Sequence, residues 1–159
     1  MWLLDVDGVL NAARPGWGSA PRKGFVHSDS GTPWPMRWAP ALIDRIRALH
    51  NTGLAEIRWC TTWCCDADRV EALFRLPPLG RAFHTRLGPE DAAQAKTAAA
   101  LDVVAAGRSL VWTDDTAVPA DGALRDELSR YGRALLIAPD PGRGLQPHHL
   151  DAIEAFLRG

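Results

Sequence analysis

The chain has 159 residues, 47% hydrophobic and 23% charged, which suits one globular domain with a proper core. Its 18 basic and 19 acidic residues leave a formal charge of -1, so no global field draws it to nucleic acid or an anionic membrane. No stretch is long and apolar enough for a transmembrane helix, and Asp5 and Asp7 interrupt the opening apolar run too early for a secretory signal.

Trp2 to Val6 reads as a short, fully apolar strand that runs into Asp5-Val6-Asp7-Gly8. Two like charges so close repel each other unless a cation or proton sits with them. Gly8 allows a sharp turn and a close approach to the backbone. From Gly8 to about Pro35 there is no helical period, only repeated glycine and proline, so a flap at about 9–38 is expected. A hairpin around Gly24-Phe25-Val26-His27 would shape it.

Ala39 to His50 has Leu42, Ile43, Ile46 and Leu49 at helical spacing, and Asn51-Thr52-Gly53 ends it. Leu54 to Cys60 is a second strand, leading into Thr61-Thr62-Trp63. Asp66 to about Leu76 is helical until Pro77-Pro78 stops it. Arg81 to Arg86 reads as a third strand, and the alanine-rich run from Asp91 to Ala106 as a helix. Ser109 to Thr113 is a fourth strand ending in Asp114-Asp115. Asp121 to Tyr131 is a helix followed by Gly132, Arg133 to Ala138 a fifth strand, and Pro147 to Arg158 the last helix.

This alternation predicts an α/β fold of three layers, Rossmann-like, with a central five-stranded parallel sheet and a single domain over 1–159. Ligands of such sheets bind beyond the carboxyl ends of the strands. Those ends carry Asp5 and Asp7, Thr61 and Thr62, and Asp114 and Asp115, with Lys96 in the helix before the fourth strand. Hard carboxylate oxygens suit Mg²⁺. A hydroxyl and an ammonium suit phosphate oxygens, and a carboxylate can attack phosphorus. The plain alternative for Lys96 is a solvated helix lysine, and Arg108 is the next cation along. Cys60, Cys64 and Cys65 are an odd, clustered set that forms neither a disulfide framework nor a four-ligand zinc pattern. Inert core thiols and a reducing cytoplasm are therefore expected. His148-His149 reads as a helix start.

In these positions the chain resembles the haloacid dehalogenase-like (HAD) superfamily of phosphohydrolases. The resemblance rests on Asp5-Val6-Asp7-Gly8-Val9-Leu10-Asn11, on Trp59-Cys60-Thr61-Thr62-Trp63, on Lys96, and on Trp112-Thr113-Asp114-Asp115. It implies Asp5 as nucleophile and Asp7 as general acid and then base. It implies Thr61, with Thr62 as the other candidate, and Lys96 as phosphate-binding groups. Asp5, Asp114, Asp115 and the main-chain carbonyl of Asp7 would hold Mg²⁺. The expected activity is Mg²⁺-dependent hydrolysis of a phosphomonoester through an aspartyl-phosphate. The alternatives are a polynucleotide-end phosphatase in nucleic-acid repair, a phosphotransferase, and a phosphate-binding or regulatory protein without turnover.

Many members of that superfamily carry a cap domain. About thirty residues from Gly8 to Ala39 are too few for one, so a capless site under a flap is expected. Arg14, Arg22, Lys23 and Arg37 are the flap's candidates for phosphate, and its tryptophans can stack on a base or sugar. Among them Trp38 is expected to pack inward and Trp17, between two glycines, to be exposed for binding. The expected partner is a phosphorylated substrate, with a nucleotide or nucleic-acid end in range and no membrane.

Overall fold

The apolar run at the amino terminus forms the middle of a sheet. The structure is a computed structural model, and it describes residues 1–130 and 133–159. Along the chain come β1 (Trp2–Leu4), β2 (Arg22–His27), β3 (Pro33–Trp38), α1 (Pro40–Asn51), β4 (Ile57–Trp59), α2 (Ala67–Phe74), β5 (Gly80–Arg81), α3 (Pro89–Ala105), β6 (Leu110–Thr113), α4 (Gly122–Arg130), β7 (Ala134–Ile137) and α5 (Pro147–Arg158). A 3-10 turn at Cys64–Asp66 precedes α2. The expected helix end at Tyr131, with Gly132 after it, lies outside the described residues.

The main sheet runs β5-β4-β1-β6-β7, and every pairing in it is parallel. β1 is buried throughout, as a central parallel strand must be when both faces are covered. Its residues alternate between two cores. Trp2 and Leu4 pack with Ile57, Trp59 and Val111 against apolar residues of α1, α2 and α5. Met1 and Leu3 pack with Leu110 and Trp112 against α3 and Leu128 of α4. The result is an α/β fold with a five-stranded parallel sheet between helices, a Rossmann-like arrangement. No helix among the described residues is long and apolar enough to cross a membrane.

Three local expectations are corrected. β1 stops at Leu4, because the Val6 carbonyl accepts N–H bonds from Val9, Leu10 and Asn11 and closes a turn. The expected third strand, Arg81 to Arg86, shrinks to β5. It is an edge strand whose one neighbour, β4, is three residues long, so the ladder ends soon after Arg81. The flap is less irregular than its composition suggests. β2 and β3 form an antiparallel hairpin in register from Arg22↔Trp38 to His27↔Pro33. Each strand of this ribbon has a partner on one side only, which tolerates Pro33 and Pro35. Val26, Met36 and Trp38 form its buried face, with Trp38 edge-on to Phe74 of α2 at 5.1 Å.

Candidate active site

Asp5 follows β1 directly and is buried. The middle of α3 brings Lys96 over it. Ala92, Lys96, Ala100, Val103 and Val104 share the buried face of that helix, at the i, i+4 spacing of helical neighbours. The Lys96 Nζ donates to Asp5 Oδ2 at 2.8 Å and to Asp114 Oδ2 at 2.6 Å. Asp5 Oδ1 accepts the Val6 N–H at 2.8 Å. Asp114 Oδ1 accepts the N–H groups of Thr116 and Ala117, so the turn after β6 fixes its orientation. One oxygen from each of Asp5, Asp114 and Asp115 falls within 4.8 Å of the others. Gly8 has φ +68° and lies against Asp115, where a Cβ would overlap the carboxyl group.

Burial pushes Asp5 up to about 7; Lys96 opposes that rise and Asp114 adds to it. Burial also disfavours the charge on Asp114, but Lys96 and the amides of Ala117 and Thr116 outweigh it and hold the group below its ordinary value. Burial disfavours the Lys96 ammonium too, yet Asp5 and Asp114 raise its pKa above normal. Asp115 is raised by burial and then by the charge of Asp114. One ammonium thus faces three carboxylates. This converging set of hard anionic oxygens, with more negative than positive charge, offers ligand atoms for a metal ion.

Asp7 stands apart. Its side chain is exposed, Oδ1 accepts from Asn11 Nδ2 at 2.8 Å, and Oδ2 accepts from Trp63 Nε1 at 2.8 Å. Its carboxylate is not one of the three that converge. Thr61 is buried, with its hydroxyl against Asp5 and also accepting the Trp63 N–H at 3.3 Å. Thr62 is exposed and lines a cleft of about 590 Å³ with Asp7, Trp34, Trp63 and Arg86. Trp34 meets Trp63 edge-on, with centroids 6.0 Å apart.

Asp29, Asp66 and Arg86, which also line this cleft, belong to an ion-pair network that joins the hairpin tip to the body. Asp29 pairs with Arg69 at 2.7 Å and with Arg86 at 2.8 Å. The buried Asp66 pairs with Arg86 at 3.1 Å and with Arg69 at 3.4 Å. None of these four was singled out from the sequence. They lie on three separate segments, and only the Asp66–Arg69 spacing of one helical turn gave a local sign.

The flap cations lie elsewhere. Arg14 is exposed and tied by its backbone to Gly142. Arg22 sits beside Trp38, Asp44 and Arg47. Lys23 and Arg37 line a separate groove with Phe25. None of them lines the cleft that holds Asp7. The expectation that Trp17 is open for binding is also corrected. It is half-buried against the core, with its indole N–H donated to the Leu145 carbonyl at 2.7 Å. Cys60 and Cys64 are buried, and burial raises both thiols. His149 caps the start of α5, accepting the Gln146 N–H through Nδ1.

Comparison of the chain with family models, with curated proteins and with solved structures gives no match.

Proposed function

We propose that the chain is a Mg²⁺-dependent phosphomonoester hydrolase of the HAD type, working through an aspartyl-phosphate on Asp5. One observation carries the reading: Lys96 bridges Asp5 and Asp114 in a buried crevice, with Asp115 beside them. A buried lysine shared by two acids costs too much desolvation to be a chance feature of a solvated face. Three free thiols favour a cytoplasmic setting.

An ionised Asp5 oxygen attacks phosphorus, and the bond from phosphorus to the leaving oxygen breaks. Asp7, at the exposed side, gives that oxygen its proton. Asp7 then takes a proton from water, whose oxygen attacks the same phosphorus and releases phosphate and free Asp5. Asn11 and Trp63 hold the two oxygens of Asp7 in place through this exchange. Lys96 and the Thr61 hydroxyl lie where the phosphoryl oxygens gather charge, and a fixed donor there is worth about 10²–10³ in rate. Asp5, Asp114 and Asp115 would hold Mg²⁺, which supplies further charge neutralisation at those oxygens.

The test is turnover of p-nitrophenyl phosphate with and without Mg²⁺. Wild type should hydrolyse it only with the ion, and Asp5→Asn should retain about 10⁻³ of the rate or less. Equal rates for the two proteins would remove Asp5 as nucleophile.

A further inference from the structure

The cleft beside Asp7 has a composition that no step above uses. Trp34 is the first residue of β3 on the face it shares with Met36 and Trp38 and, unlike them, is half exposed. Its ring and that of Trp63 form a corner at 6.0 Å. Trp63 is the residue that donates to Asp7. A group lying in this corner is therefore next to the acid that must protonate the leaving oxygen. At the hairpin tip, Ser28, Ser30 and Thr32 form a chain of hydroxyls with oxygens 2.8 and 3.0 Å apart. Hydroxyls so arranged can donate to, or accept from, a polyhydroxy ligand.

The charge of the cleft is as telling. Its one cation among the described lining residues is Arg86, already paired with Asp29 and Asp66. No unpaired cation there can take a second phosphate. Asp7 and the exposed side of Asp29 would repel one. The basic residues of the flap, Arg22 and Lys23, open onto other grooves.

Resting on the phosphatase reading, we infer that the cleft is the leaving-group subsite, and that it takes the neutral, ring-bearing alcohol of a single phosphate ester. The size and chemistry suit one nucleoside: a base stacked on Trp34 and a sugar against the tip hydroxyls. A longer polynucleotide brings phosphates that the cleft has no charge to receive.

Three esters separate the possibilities: a nucleoside 5′-monophosphate, a 5′-phosphorylated dinucleotide and glycerol phosphate, each with wild type and Trp34→Ala. The mononucleotide should be preferred. Trp34→Ala should lower its kcat/KM by about ten- to a hundredfold, the scale of one base–aromatic stack, and leave glycerol phosphate within about twofold. Equal loss on both esters makes Trp34 a structural residue and overturns the subsite. A preference for the dinucleotide overturns the single-phosphate assignment. If wild type turns over none of the three, the phosphatase reading fails and the subsite is judged by calorimetry with the mononucleotide and Mg²⁺. Binding that Trp34→Ala abolishes then upholds the ring pocket, and no heat of binding ends it.

Discussion

Lys96 sets the charge of the crevice. Replacing it by methionine leaves Asp5 and Asp114 buried and unpaired, so Lys96→Met should cost about 3–5 kcal/mol in urea unfolding without divalent ion. Added Mg²⁺ should restore part of that loss; no change in midpoint would mean that Lys96 contributes nothing to the fold. Asp5 gives a pH signature. Its folded pKa of about 7 stands above the ordinary 3.8, so the metal-free native state holds an extra proton in that window. Its ionisation therefore costs stability progressively as pH rises from about 4 to about 7. Asp5→Asn should remove that slope, and parallel melting curves for mutant and wild type would contradict the assignment. The acids were legible in the sequence because an apolar run marks a strand, and its end marks the crevice. Lys96 was legible only by position. Its neighbours are mostly alanine, which gives no amphipathic contrast to show which face is buried. The Trp63–Asp7 bond was not legible, since the turn after β4 decides where the indole points.

The flap is an ordered ribbon whose outer end is held by charge. Asp29 is 64% exposed, so Asp29→Ala should change global stability by less than about 1 kcal/mol. Amide hydrogens of β2 and β3 near the tip should nevertheless exchange faster, which hydrogen-exchange mass spectrometry reads directly. Arg86→Met should cost more than Asp29→Ala, because it strips a partner from the buried Asp66. Equal unfolding midpoints for the two variants would show that Asp66 does not depend on Arg86. The hairpin was only half legible: Gly24, Pro33 and Pro35 read as loop residues, yet a two-stranded ribbon accepts all three. The Asp29–Arg86 pair spans 57 positions and has no local pattern to betray it.

Across the molecule, the order of strands and helices was readable because the inner strands β1 and β6 are short and apolar and each helix is punctuated by glycine or proline. The distribution of work between the two cores was not, since it depends on which face of β1 each residue meets. Trp2 shows the dependence: it is fully buried and donates its indole N–H to Thr113 Oγ1 at 2.9 Å. Trp2→Ala should destabilise by about 3–5 kcal/mol, measured by chemical denaturation. Mg²⁺ at about 100 times its dissociation constant should add about 2.7 kcal/mol to wild type and much less to Asp115→Asn. β1 also has a temporal consequence. It pairs with β4 through Leu4↔Trp59 and with β6 through Leu4↔Thr113. During synthesis β1 leaves the ribosome before either neighbour is made, and its pairing with β6 waits for about a hundred further residues. Asp5, just after β1, is thus made well before the strands on either side that complete its surroundings. Until then a stretch of bare tryptophan and leucine is open to pairing with other chains.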